Sequence, residues 1–73
     1  MSDKRKKFEE FAVRRTKNAI NQIRLIGKLA NKGAYEYNEE DINKITSALK
    51  REVENIRNKF LSTEKNKESD FTL

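Results

Sequence analysis

The stretch NEEDINKITSALKREVENIRNKF, residues 38–60, decides the fold class of this 73-residue chain. Its large apolar residues recur at spacings of three and four, which on an α-helix forms one narrow stripe. These residues are Ile42, Ile45, Leu49, Val53, Ile56 and Phe60. Asn38 is a favourable N-cap, and Asp41 can reach back to it from the third helical position. The sequence therefore predicts a helix over 39–61.

The chain before this stretch predicts a longer helix over 4–32, in which nothing but Gly27 is a helix breaker. Its apolar residues cover about half of the helix, wider than the ~100° that one neighbour needs. They are Phe8, Phe11, Ala12, Val13, Ala19, Ile20, Ile23, Ile26, Leu29 and Ala30. Lys28 and Lys32 in the last turns, with Gly33 in a left-handed C′ position, indicate where this helix ends.

The two predicted helices are joined by about five residues, a length that favours antiparallel neighbours. We therefore predict an all-α fold, an antiparallel two-helix hairpin over 4–61 with a hinge at 33–38. Residues 1–3 are expected to be disordered and residues 62–73 to form a flexible polar tail. Whether Phe71 and Leu73 dock against the hairpin stays open.

The first helix has more apolar surface than the second helix can cover. Monomers rarely leave such a patch in water, so we expect a homodimer in which two hairpins form a four-helix bundle. Its helices would cross at the ~20° of coiled-coil packing. The alternative is that a different protein covers the same surface.

Two tyrosines lie in the predicted hinge. Tyr37 occupies the position before the N-cap, where an apolar residue packs on N4, here Ile42, as a hydrophobic staple. Tyr35 can lie over the end of the first helix. Because a tyrosine ring is apolar and its hydroxyl polar, the pair also suits a binding site for another protein. The candidate partner-binding residues are thus Tyr35, Tyr37 and Arg15.

The composition excludes most enzyme chemistry. The chain has no cysteine and no histidine, which removes disulfides, the commonest zinc ligands, the usual general base and the best nucleophile. The acidic cluster at 39–41 is expected at a helix start for the helix dipole alone. No glycine-rich phosphate loop is present. We predict no catalytic site, no metal and no cofactor.

The sequence also indicates where the protein acts. No apolar stretch approaches the ~18 residues that cross a bilayer. The basic run at the N-terminus is not followed by the apolar region of a signal peptide. We therefore predict a cytoplasmic protein with no membrane partner and no small-molecule substrate.

Positive charge is concentrated in the first helix. Residues 4–32 include ten basic and two acidic residues, whereas residues 39–60 include five of each. Phosphate backbones bind such surfaces. Four basic residues flank the outward side of the helix, and they are Arg14, Lys17, Arg24 and Lys28. Arg15 instead falls between Phe8 and Phe11, at the edge of the apolar face.

We therefore predict a small non-enzymatic regulator that contacts nucleic acid through these four residues of the first helix. Two alternatives stay open. In the first, the charge only keeps a helix face soluble. In the second, the chain is a protein-binding module or a small inhibitor of a host or defence enzyme, which uses the two tyrosines and the remaining apolar surface.

Residues 15–60 include the runs IRLIGKLAN and YEYNEED, which begin at Ile23 and Tyr35. With these runs the chain resembles a group of small uncharacterised proteins found in bacterial, plasmid and phage genomes. The resemblance covers about two thirds of the chain and implies a helical fold but no activity. In overall plan the chain is also similar to the short plasmid RNA-binding hairpins that dimerise into four-helix bundles.

Overall fold

The computed structural model describes the backbone of residues 2–72 and the side chains of residues 2–63. Within this part of the chain there are two α-helices and no strand, α1 at Asp3–Gly27 and α2 at Glu39–Thr72. The chain divides between Glu36 and Tyr37 into two units, each with one helix. The all-α prediction, with two helices, is confirmed.

Helix α1 begins one residue earlier than predicted because Ser2 caps it. The Ser2 backbone is extended, and its hydroxyl accepts a hydrogen bond of 3.2 Å from the amide of Arg5. Serine is favoured at this position because it satisfies an amide that has no partner inside the helix. Ser2 and Asp3 thus differ from the predicted disordered N-terminus, whereas Met1 lies outside the described residues.

Helix α1 ends at Gly27, five residues before the predicted end. The left-handed conformation predicted for Gly33 is wrong, because no glycine of the described chain has a positive φ. Asn31 forms a turn of its own instead. Its side-chain Oδ1 accepts from the amide of Gly33 at 3.0 Å, and its carbonyl accepts from the amide of Tyr35 at 2.9 Å. Such side-chain-to-backbone bonds compete with the helix, so residues 28–38 form the connection.

The predicted start of α2 is confirmed in detail. The amide of Asp41 donates to Asn38 Oδ1 at 2.9 Å, and the amide of Asn38 donates to Asp41 Oδ2 at 3.0 Å. This reciprocal pair is a capping box. It satisfies two backbone amides, and α2 accordingly begins at Glu39.

The far end of α2 lies at Thr72, well beyond the predicted end at residue 61. No proline or glycine follows Gly33, so nothing in the sequence stops the helix. The predicted polar tail at 62–73 therefore differs from the structure in its backbone. The docking of Phe71 and Leu73 lies outside the described side chains.

The apolar faces of both helices are exposed. No side chain among residues 2–63 is buried, and large apolar residues such as Phe8 and Ile56 expose about half of their surface or more, 47% and 56%. Leu49 and Tyr37 are half-buried. None of the helices in the described chain has an apolar run of the length needed to cross a bilayer. Exposed apolar faces of this extent are typical of surfaces that bind another protein.

Candidate nucleic-acid interface

The centre of the site is the ring of Phe11 in α1. The guanidinium carbon of Arg14 lies 5.0 Å from the ring centroid, and that of Arg15 lies 5.5 Å away. Residues three and four apart are neighbours on a helix surface, so both arginines reach the same ring. At an exposed site each such cation–π contact stabilises by about 0.5–1 kcal/mol. Two positive charges are thereby held at one place on α1.

A second arginine–aromatic contact lies near the start of α1. The guanidinium of Arg5 is 5.7 Å from the ring centroid of Phe8, and its Nε donates to Glu9 Oε1 at 2.8 Å. The ion pair is solvent-exposed, with 58% and 49% of the two side chains accessible. Such a pair stabilises the helix by only a few tenths of a kcal/mol, but it neutralises Arg5.

The predicted phosphate-binding residues share α1 and its C-terminal cap. Arg14, Lys17 and Arg24 lie within α1, and Lys28 is the residue that caps it. The side chains of Lys17, Arg24 and Lys28 have no ion-pair or hydrogen-bond partner among the side chains that the structure describes. Lys17 and Arg24 are seven residues apart, so they lie within about 20° on one helix face, ~10 Å apart.

Arg14 differs from its predicted position on the outward side of α1, because its side chain bends toward Phe11. A guanidinium is planar, and its N–H groups point outward in that plane. They remain available to the oxygens of a phosphate when the group lies against a ring. Arg14 therefore remains suited to an anion. Arg15 lies over the same ring, at the edge of the apolar face where the helical projection placed it.

The run KRKK at residues 4–7 was not among the predicted site residues. It lies in the first two turns of α1, where the positive end of the helix dipole disfavours cations. Three of these cations, Lys4, Lys6 and Lys7, therefore cost helix stability at this end. Residues that break a local stability rule are expected where function requires them. The run is visible in the sequence, and its place at a helix N-terminus is the signal that distinguishes it.

The two tyrosines of the connection differ in exposure. Tyr35 exposes 51% of its surface, whereas Tyr37 is half-buried. Tyr35 belongs to the first unit together with Arg15, and Tyr37 belongs to the second. The packing of Tyr37 on Ile42 stays a prediction. Of the two rings, that of Tyr35 is more accessible to a partner.

No family model, no curated protein and no solved structure matches this chain. The resemblance to small bacterial and phage proteins therefore stays a prediction. Within the described residues, no group of three acidic, cysteine or histidine side chains is placed to hold a metal ion. The function of the chain must be inferred from the charges and contacts of its own residues.

Proposed function

We propose that this chain is a small non-enzymatic regulator that acts in the cytoplasm and binds a nucleic-acid backbone through α1. One observation carries the proposal. The excess positive charge is confined to residues 4–32, and the cations of Lys17, Arg24 and Lys28 have no partner among the described side chains. Residues 39–60 are as basic as they are acidic, so a polyanion would be drawn to one helix.

The contacts would be electrostatic and independent of base sequence. Each cation that neutralises a phosphate releases a condensed counterion, so affinity falls with salt. Four contacts, from Arg14, Lys17, Arg24 and Lys28, correspond to a slope of about −3.6 in log K against log salt on a duplex. Between 50 and 200 mM salt this lowers the affinity about 100-fold.

The Phe11 cluster supports the same function. Because Arg14 already lies against the ring beside Arg15, it loses less side-chain freedom when it binds a phosphate. Phe11 still exposes 41% of its surface. The cluster thus places a fixed charge pair at the edge of the apolar face.

We further propose that α1 and α2 pack antiparallel and that two copies assemble into a four-helix bundle. The exposed apolar faces of both helices support this assembly. A chain of this size has too little interior to be stable alone, and this one has no disulfide to compensate. Sedimentation at micromolar concentration tests the assembly. A monomer of 8.6 kDa that also melts cooperatively would contradict it.

Binding is tested by fluorescence anisotropy with labelled 20-nucleotide duplex and single-stranded probes over a range of salt. The test variant is Lys17→Ala with Arg24→Ala. The control is Lys44→Ala with Arg51→Ala in α2, which removes the same net charge. We expect the test pair to weaken binding about tenfold and to lower the salt slope by about two. An equal loss of affinity in the two double variants, or an affinity that does not change with salt, would contradict the proposal.

Tyr35 favours a second candidate function, in which the chain binds a protein and acts as an inhibitor of a host or defence enzyme. The exposure of its ring supports this candidate. Arg15 and Tyr37 are the other residues predicted to contribute. Contacts between apolar surfaces barely respond to salt. A pull-down from bacterial or phage-infected lysate, with and without nuclease, distinguishes the two functions.

A further inference from the structure

Five of the six residues in the apolar stripe of α2, all except Phe60, are placed symmetrically about Leu49. Ile45 and Val53 lie four residues to either side of it, and Ile42 and Ile56 lie seven residues to either side. The four isoleucine and valine side chains are exposed, and Leu49 is half-buried. On an α-helix these five positions fall within an arc of about 80°. A second α2, turned end for end about Leu49, would present the same pattern.

The turned copy fits residue by residue. With Leu49 on a twofold axis, Ile42 meets the second copy's Ile56, and Ile45 meets the second copy's Val53. Ile42 and Val53 lie on one side of the centre line of the stripe, and Ile45 and Ile56 lie on the other side. Each pair therefore joins one residue from each side. That is the layer arrangement of antiparallel coiled coils, in which a and d positions alternate. The interface is isologous, because the same surface is used by both copies.

The charges beside the stripe fit the same arrangement. Glu39 and Arg57 are 18 residues apart, which is five helical turns, so both lie on one edge of the stripe. Asp41 and Lys59 have the same spacing and lie on the other edge. In the antiparallel pair, each acid comes within two residues, ~3 Å along the axis, of the basic residue on the same edge of the second copy. Four opposite-charge pairs result.

A parallel pair of α2 helices would instead place like charges together. Glu39 would approach the second copy's Asp41, and Arg57 would approach the second copy's Lys59. Juxtaposed like charges disfavour an interface, so the charge pattern selects the antiparallel arrangement. Lys50 and Glu52 are the exceptions, because each approaches its own copy near the twofold axis, ~3 Å and ~9 Å along the axis. Lys50 lies about 100° and Glu52 about 60° from the centre of the stripe, and both are exposed, so solvent screens them.

We propose that α2 is a self-association surface, on which a second copy of this chain docks antiparallel with Leu49 at the twofold axis. The inference rests on the homodimer part of the proposed function and is independent of nucleic-acid binding.

Disulfide cross-linking tests the register, because the chain has no cysteine of its own. Two single variants, Ile42→Cys and Ile56→Cys, are oxidised separately and as a mixture. In the proposed register like positions lie ~21 Å apart, which is too far for a disulfide. We therefore expect cross-linked dimers from the mixture and at least tenfold fewer from either variant alone. Leu49→Cys should cross-link by itself.

Arg51→Cys, on the opposite face of α2, is the matched control and should remain uncross-linked. If the single variants cross-link as well as the mixture, the helices are parallel and the inference is wrong. A dimer in sedimentation without the mixed cross-link overturns the register alone. A monomer overturns both the register and the proposed homodimer, whereas anisotropy on the same samples reports nucleic-acid binding separately.

Discussion

Replacing Asn38 by alanine should shorten α2 from its N-terminus. The side-chain Oδ1 of Asn38 accepts the amide of Asp41 at 2.9 Å. Alanine removes this acceptor and leaves one of the first amides of the helix without a protein partner. In the return bond, the amide of Asn38 donates to Asp41 Oδ2 at 3.0 Å. This bond also loses the side-chain contact that fixes its geometry. Both halves of the capping box are therefore affected by one substitution.

The magnitude follows from the exposure of these groups. Both hydrogen bonds are solvent-exposed, so water can replace the lost partners, and no buried polar group remains. The cost is then that of an ordinary N-cap, about 1 kcal/mol and at most about 2 kcal/mol. For a chain of this size, 1 kcal/mol lowers the melting temperature by roughly 4–8 °C.

Circular dichroism at 222 nm as a function of temperature measures the effect. Asn38→Ser keeps a capping oxygen and should remain within a few tenths of a kcal/mol of the parent chain. Asn55→Ala is the matched control, because Asn55 lies inside α2 with only a long 3.4 Å bond to Glu52. Alanine is the better helix former there, so this variant should melt at the same temperature or higher. Equal losses at positions 38 and 55 would refute the capping argument.

Three further comparisons test the connection and the Phe11 cluster. Tyr37→Ala should cost about 1–3 kcal/mol in thermal melting through lost burial, and Tyr35→Ala less; loss of a protein partner without any change in melting would identify a binding site instead. In Gly27→Ala the added Cβ has no atom within 4 Å, so this variant should increase the helix signal in circular dichroism. In Gly33→Ala the Cβ would lie 3.3 Å from an asparagine oxygen, so the helix signal should increase little; a larger increase at Gly33 than at Gly27 would be inconsistent with this turn. Phe11→Leu keeps the apolar volume but removes both cation–π contacts, so nucleic-acid affinity should fall two- to fivefold; unchanged affinity would show that the ring does not position the arginines.

The start of α2 was predictable because a capping box is local. Asn38 and Asp41 are three residues apart, and their side chains reach only each other's amides. The end of α1 was not predicted, since two local signals compete there. Gly33 resembles a helix C-terminus, but Asn31 forms its turn without any positive φ. The outcome depends on which side chain forms hydrogen bonds with the free backbone groups. The spacing of residues in the sequence does not show which side chain does so.

The end of α2 illustrates a different limit. Apolar periodicity stops at Phe60, yet the helix continues to Thr72. Periodicity reports the face that a helix buries, whereas helix formation depends on propensity and on the absence of glycine and proline. Arg14 shows the same limit for the site. A 100° projection gives the direction of its Cβ, but a long side chain can end at a neighbouring ring.

The division of charge between the helices makes binding and assembly separable by salt. Nucleic-acid binding through α1 would fall about 100-fold between 50 and 200 mM salt, because every contact releases a counterion. Assembly through α2 would depend mainly on apolar side chains around Leu49, since exposed ion pairs such as Glu39 with the second copy's Arg57 contribute little. Salt screens those pairs, but it also screens the repulsion between two copies that each carry a net charge of +5. These effects oppose each other, so the dimer should persist at a salt concentration that releases the nucleic acid.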